Sequence, residues 1–156
     1  MWPESVKRFL GRQVPIFTHL AAAKPGEFPF TCRGYGYRPS FESERLWLFI
    51  LKTQWLRMKE YIEHSAELAA LLTSGVDNES YQFKGRFAEI RGLSKEDIAA
   101  LEEQRKWVFA QAPALAPLIH VSASDCVAVG LQVGAIYSQT PGPDAGSPAM
   151  ERSDGE

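Results

Sequence analysis

The sequence is poor in the features that usually declare a function. Its only cysteines are Cys32 and Cys126, far apart and outside metal-ligand spacing. That argues against a disulfide framework and against a zinc centre, and both read as reduced thiols packed as small apolar groups. His19, His64 and His120 are scattered over a strand, a helix end and a loop, so no metal site or nucleophilic triad can be read from their spacing. The longest uninterrupted apolar run, Leu46 to Leu51, is too short to cross a bilayer, and the N-terminus carries no signal-peptide hydrophobic region. No membrane partner and a cytoplasmic location are the expectation. A formal net charge of −2 leaves no overall basic field of the kind that displaces counterions from a nucleic acid, so no nucleic-acid partner is expected. A dinucleotide-type glycine turn is missing as well, because Gly34-Tyr35-Gly36-Tyr37-Arg38 meets Pro39 where a helix would have to begin.

What is present is an ordinary globular balance, 45% apolar and 23% charged over 156 residues, enough for one domain with a real core. Residues 1–146 are expected to form that domain. The Pro, Gly and Ser density after Gln139 predicts a flexible tail over 147–156.

The periodicities then divide the chain. Pro3 followed by Val6, Phe9 and Leu10 predicts a short opening helix whose apolar stripe lies on the body of the domain. Val14–Ala23 reads as a strand leading into the turn residues Lys24-Pro25-Gly26-Glu27, with Phe28–Tyr35 as the return strand. Arg45–Leu51 is a third strand. Thr53 can cap a helix running to about His64, with Trp55, Leu56, Met58 and Ile62 as its inward face. Leu68–Thr73 is short and apolar. Tyr81–Arg91 alternates: Tyr81, Phe83 and Phe87 share one parity, Gln82, Lys84 and Arg86 the other. Ser94 and Asp97 have the spacing of a capping box and open a helix through Ile98, Leu101, Arg105, Val108 and Phe109, ended by Pro113 and Pro117. Cys126–Tyr137 is a last strand interrupted by Gly130 and Gly134. Six strands, with helices inserted between them and not alternating with them, predict a mainly β (α+β) fold. Its centre is a six-stranded antiparallel split β-barrel with flanking helices.

The chemistry concentrates on Tyr81-Gln82-Phe83-Lys84-Gly85-Arg86, where alternation puts one amide and two cations along a single surface. An amide both donates to and accepts from the mixed edge of a flavin-like ring. A cation can neutralise a phosphate or the charge that develops on a flavin during reduction, and Gly85 allows a ring or a second backbone to come close. A plain solvated strand face is the competing reading of the same residues. Glu60 with Glu63, and Glu102 with Glu103, read as solvated helix faces and not as an acid and base pair.

This stretch resembles the glutamine-containing central strand of the pyridoxamine 5′-phosphate oxidase-like, flavin-binding split-barrel family. Three further segments fit in the same order: Phe28-Pro29-Phe30-Thr31-Cys32-Arg33, Leu46 through Gln54, and the proline-glycine-rich Thr140 through Gly146. The resemblance spans Val14 to Gly146 and rests on the order of these segments more than on any one of them. It implies a homodimer that holds flavin mononucleotide (FMN) at its interface. Arg33 and Lys52 would lie near the phosphate, Thr53 and Gln54 at a helix start would add further contacts, Gln82 would meet the ring, and Lys84 and Arg86 would border it. It further implies a flavin-dependent oxidoreductase acting on a small molecule, with NADH or NADPH as a candidate donor. The family's serine-arginine-lysine-like phosphate group is replaced here by Trp55-Leu56-Arg57. That keeps open a non-catalytic flavin-, deazaflavin- or heme-binding module, and a cofactor-free dimeric interaction protein. Thr140–Gly146 has two readings, a rigid turn or a lid over the partner subunit's flavin.

Overall fold

The computed structural model describes residues 1–152. Among them the chain forms three α-helices, α1 (Glu4–Leu10), α2 (Lys52–His64) and α3 (Lys95–Gln111). The strands are β1 (Ile16–Ala22), β2 (Phe30–Gly34), β3 (Gly36–Ser40), β4 (Arg45–Leu51), β5 (Glu67–Ser74), β6 (Ser80–Gly92), β7 (Cys126–Ser138) and β8 (Pro148–Glu151). Neighbouring strands run β2-β1-β5-β6-β7-β4-β3, with β8 paired to β7, and every pairing is antiparallel.

The two ends of that path are β2 and β3, which are consecutive in the chain and separated only by Tyr35. Phe30–Ser40 is therefore one strand bent at Tyr35, whose N–H donates to the Phe49 carbonyl of β4. Its first half pairs with β1 and its second half with β4, so the sheet curls round and the barrel closes through a single bent strand. The expected ring of six is present once β2 and β3 are counted together, and β8 is the addition. Pro148–Glu151 lies inside the stretch expected as a tail, and 153–156 fall outside the described residues.

Inside the ring one parity of each strand meets its counterparts, except that β7 switches parity at Gly134, where its register shifts. Leu20, Phe30, Leu46, Leu48, Ile50, Leu68, Leu72, Phe83, Leu131 and Ile136 are all buried in one cluster, each large side chain contributing roughly 1.5–3 kcal/mol by leaving water. The stripe of α1, namely Val6, Phe9 and Leu10, joins this cluster as its spacing predicts. So does Met58 of α2, while Trp55 stacks on Phe87 at 5.4 Å and Tyr61 on Phe30 at 5.8 Å.

Two helix details differ from expectation. α2 begins at Lys52 with Leu51 at its cap position and no side-chain cap, so Thr53 lies within the first turn and does not cap it. Leu56, expected inward, is 66% exposed, because its neighbours Trp55 and Met58 already fill the side of the helix that meets the barrel.

α3 lies against the outer side of the sheet. Its Leu101 closes a second cluster with Trp47, Phe49 and Ala128. The capping box forms as its spacing requires, Ser94 Oγ accepting from the Asp97 N–H and Asp97 accepting from the Ser94 N–H. Covering β3, β4 and the first half of β7, α3 leaves the outer side of β2, β1, β5, β6 and the end of β7 open.

Candidate functional site

Antiparallel register puts directly opposed residues on the same side of a sheet, and it assembles the open face row by row. Arg33 of β2 is opposite His19 of β1, His19 opposite Leu71 of β5, Leu71 opposite Gln82 of β6, and Gln82 opposite Tyr137 of β7. The next row is Thr31, Ala21, Ala69, Lys84 and Ala135. Beyond it, Glu67 is opposite Arg86. Arg33, His19, Leu71, Lys84 and Arg86 are exposed, and Gln82 and Tyr137 are half-buried.

The alternation read on β6 is thus real. Tyr81 and Phe83 are buried, whereas Gln82, Lys84 and Arg86 face outward. The register of β6 against β7 also shifts twice, between Lys84 and Gly85, where Gly134 of β7 is the extra residue, and between Phe87 and Glu89, where Ala88 of β6 is. Gly85 is required for a backbone reason: a Cβ there would stand 1.9 Å from the carbonyl oxygen of Gln132. Of the two close approaches its sequence allows, the second backbone is the one present.

A groove of about 730 Å³ crosses this face. Ala21, Ala69 and Ala135 form its floor, Lys84 and Arg86 stand along it, and Arg152 borders one side. Small side chains on β1, β5 and β7 make a shallow, flat bed, and the cations supply its polar rim. Lys84 holds its ammonium 5.1 Å from the Tyr137 ring, a cation–π contact that fixes a long side chain over the groove. The Tyr137 hydroxyl donates to Glu151 at 2.7 Å, which raises the phenol above its ordinary value. Gln82 accepts from the Gln139 side-chain amide at 3.2 Å. Among the described residues no carboxylate lies within ion-pair distance of Arg33, Lys84 or Arg86, while Arg152 pairs with Glu44. Three cations therefore stand on one face without a direct ion pair, with the Glu67 carboxylate across the strand pair from Arg86.

Of the residues singled out in the sequence, the structure brings Arg33, Gln82, Lys84 and Arg86 to this face. Lys52, Thr53 and Gln54 occupy the first turn of α2, directly after β4, and do not line the groove. His19, the three alanines, Tyr137 and Arg152 were not singled out. Strand parity would have turned His19 outward, but only the register sets it beside Arg33.

Thr140–Gly146 forms the reversal between β7 and β8. Ser138 N–H donates to the Ser147 carbonyl and Gly146 N–H to the Ser138 carbonyl, and the Thr140 hydroxyl accepts from the Ser80 N–H at 3.0 Å. Gly142 and Gly146 supply the positive φ the reversal needs, at 149° and 87°. The cysteines take no part in the site. Burial pushes the Cys32 thiol up to about 11 and raises that of Cys126 too, so neither is a ready nucleophile. Among the described residues no cluster of His, Cys, Asp and Glu could hold a metal ion, and no helix is long and apolar enough to cross a membrane.

No family model and no curated protein matches the sequence. Solved structures match the fold across most of the chain. HupZ of group A Streptococcus is 16% identical, with a TM-score of 0.55 over 94% of this chain and 100% of that one. General stress protein 26 of Bacillus anthracis is 12% identical, with a TM-score of 0.53 over 86% and 91%. A pyridoxamine 5′-phosphate oxidase-related, FMN-binding protein of Nostoc punctiforme is 10% identical, with a TM-score of 0.53 over 92% and 86%. The fold of this chain is accordingly the split barrel of pyridoxamine 5′-phosphate oxidase-related proteins.

Proposed function

We propose that this chain binds FMN on the open outer face of its barrel, as a homodimer whose second subunit covers that face, and works as a flavin-dependent oxidoreductase on a small molecule. One observation carries the reading: Gln82 and Lys84, singled out by strand alternation, and Arg33, singled out by the family resemblance, share an uncovered face with an alanine-floored groove. Strands lie about 4.8 Å apart, so Arg33 and Gln82, three strand steps from one another, stand roughly 14 Å apart. A phosphate at Arg33 and the ring edge at Gln82 lie naturally at the two ends of one extended ligand.

The face fits the group. A flat bed of alanines accepts a planar ring, and cations without a direct ion pair, Arg33 and Lys84 above all, favour an anionic ligand whose charges neutralise them. In this arrangement Arg33 holds the phosphate, Gln82 orients the ring edge through its mixed donor and acceptor, and Lys84 and Arg86 favour negative charge near the pyrimidine edge. The flavin, when bound, supplies the hydride or electron chemistry. Lys52, Thr53 and Gln54, outside this groove on their own subunit, complete the site from the partner. The Nostoc neighbour, described as FMN-binding, supports the choice of cofactor.

The test is an FMN titration of the purified protein followed by fluorescence quenching and the visible spectrum, with the mass in solution measured on the same sample. Saturable binding by a dimer is expected. A Soret band would replace flavin by heme, and an empty dimer would leave the interaction-protein reading. A monomer without flavin would overturn the proposal.

A further inference from the structure

Resting on that assignment of the face, we infer that His19 is a second, pH-controlled contact for the ligand's anionic group, acting beside Arg33. The two are opposite each other on adjacent strands, which sets their Cβ atoms about 5 Å apart. Both are exposed, and neither side chain makes a hydrogen bond or ion pair among the described residues. His19 also lies one strand inward from Arg33 on the row that leads to Gln82, so an extended phosphorylated ligand laid along that row passes over it.

The surroundings of His19 contain no acid to claim its proton. On β1 its outward neighbours are Phe17 and Ala21; from β2 it faces Arg33, with Thr31 on the diagonal; from β5 it faces Leu71, flanked by Ala69 and Thr73. α2 meets this corner at Phe30, through the Tyr61 ring and the Arg57 guanidinium. Phe30 is opposite Ala22, on the inner side of the strand pair. β3, whose bend brings it near the start of β1, carries Arg38, which Asp97 already holds. Two cations next to each other with no carboxylate between them repel, and a bound dianion relieves that repulsion. Ligand and proton therefore bind His19 with mutual reinforcement.

The contact needs the protonated imidazole, and histidine in general changes charge between about pH 5 and pH 8, so the test spans that range. The phosphomonoester itself takes up a proton near pH 6 and works in the opposite direction. The informative quantity is thus the difference between wild type and His19→Gln. That polar substitution at an exposed position leaves the barrel core untouched.

The experiment measures FMN and riboflavin affinity for both proteins at about pH 8 and about pH 5.5, and follows the imidazole resonances by NMR with and without inorganic phosphate. A charge-assisted contact is worth roughly tenfold. His19→Gln should weaken FMN by about that factor at the acidic end and hardly at all at the alkaline end, leave riboflavin unchanged, and remove the one imidazole signal whose titration midpoint phosphate raises. An identical pH profile for FMN in the two proteins, or a His19 signal indifferent to phosphate, overturns the inference while leaving flavin binding standing. A phosphate-sensitive His19 in a protein that binds no flavin does the reverse, upholding the anion pair and overturning the flavin assignment.

Discussion

The side-chain amide of Gln104 occupies both backbone polar groups of Tyr37 at once, accepting from its N–H at 3.1 Å and donating to its carbonyl at 2.7 Å. A helix side chain thereby does for the bent strand what a neighbouring strand would do. Gly36 sits close by, and a Cβ on it would meet Phe49 at 2.9 Å and the Gln104 amide oxygen at 3.0 Å. Gln104→Leu removes both bonds and leaves two half-buried backbone groups unpaired, which costs about 1–3 kcal/mol. Urea unfolding should show the midpoint fall with little change in slope, and an unchanged midpoint would refute the edge-pairing role.

Asp97 anchors the other end of α3. It is fully buried and accepts from Arg38 at 2.7 Å, from Arg91, and from the Ser94 N–H at 2.9 Å. Burial opposes its ionisation, but the bonds from Arg91, Arg38 and Ser94 outweigh it and hold the carboxyl below its ordinary value. The stabilisation this provides is fully present above the unfolded-state pKa of about 3.9 and is lost as pH falls through the lower folded value. Asp97→Asn should cost about 2 kcal/mol at neutral pH, a figure below that of a fully buried pair because both arginines reach solvent. It should also flatten the acid limb of stability against pH. Equal acid limbs for the two proteins would count against this account.

A smaller acid effect attaches to Arg12, which donates to both oxygens of Asp77 at 3.0 and 2.9 Å and to Glu79 at 2.7 Å. The Arg12 guanidinium, helped by the Glu79 N–H, holds the Asp77 carboxyl at about 2. Arg12→Gln should let Asp77 titrate close to an ordinary aspartate, as followed by carboxyl NMR. This contact is exposed, so little change in stability should accompany the shift.

Gly85→Ala tests the first of the two register shifts between β6 and β7. The new methyl would collide with the Gln132 carbonyl, which belongs to backbone and cannot swing aside. The expected result is a loss of 1–3 kcal/mol, the usual range for overpacking, together with weaker FMN binding, since Lys84 and Arg86 flank the displaced residue. A stable variant with normal FMN affinity would show that the register tolerates repair.

Arg33→Ala should weaken FMN by roughly tenfold or more and spare riboflavin, because the charge-assisted contact exists only with the phosphate. Gln82→Leu should weaken both ligands while the dimer persists. Titrations of the two variants with the two ligands separate phosphate from ring contacts, and equal losses for Arg33→Ala on both ligands would remove it from the phosphate.

Much of the fold was open to local reading because each strand carries its own alternation and each helix its own boundary chemistry. Ser94 and Asp97 form their capping box from four consecutive positions, and the outward set Gln82, Lys84 and Arg86 follows from a period of two. β3 and β8 escaped because Gly36–Ser40 and Pro148–Glu151 hold glycine or proline and no apolar alternation. They are strands only because β4 and β7 offer them edges. Thr53 was misjudged as a cap because its hydroxyl suits that role, while the β4 backbone turns into the helix two residues earlier.

By itself the sequence determined which side of each element is apolar, where α3 begins, and which side chains could handle an anion or a ring edge, since these depend on residues within one or two turns of each other. Only the tertiary structure decided that Arg33, His19, Leu71, Gln82 and Tyr137 form one row. That row depends on the pairing of five strands, drawn from positions 16 to 138. Register is a relation between distant segments, set by how their buried faces pack together, and no local pattern contains it.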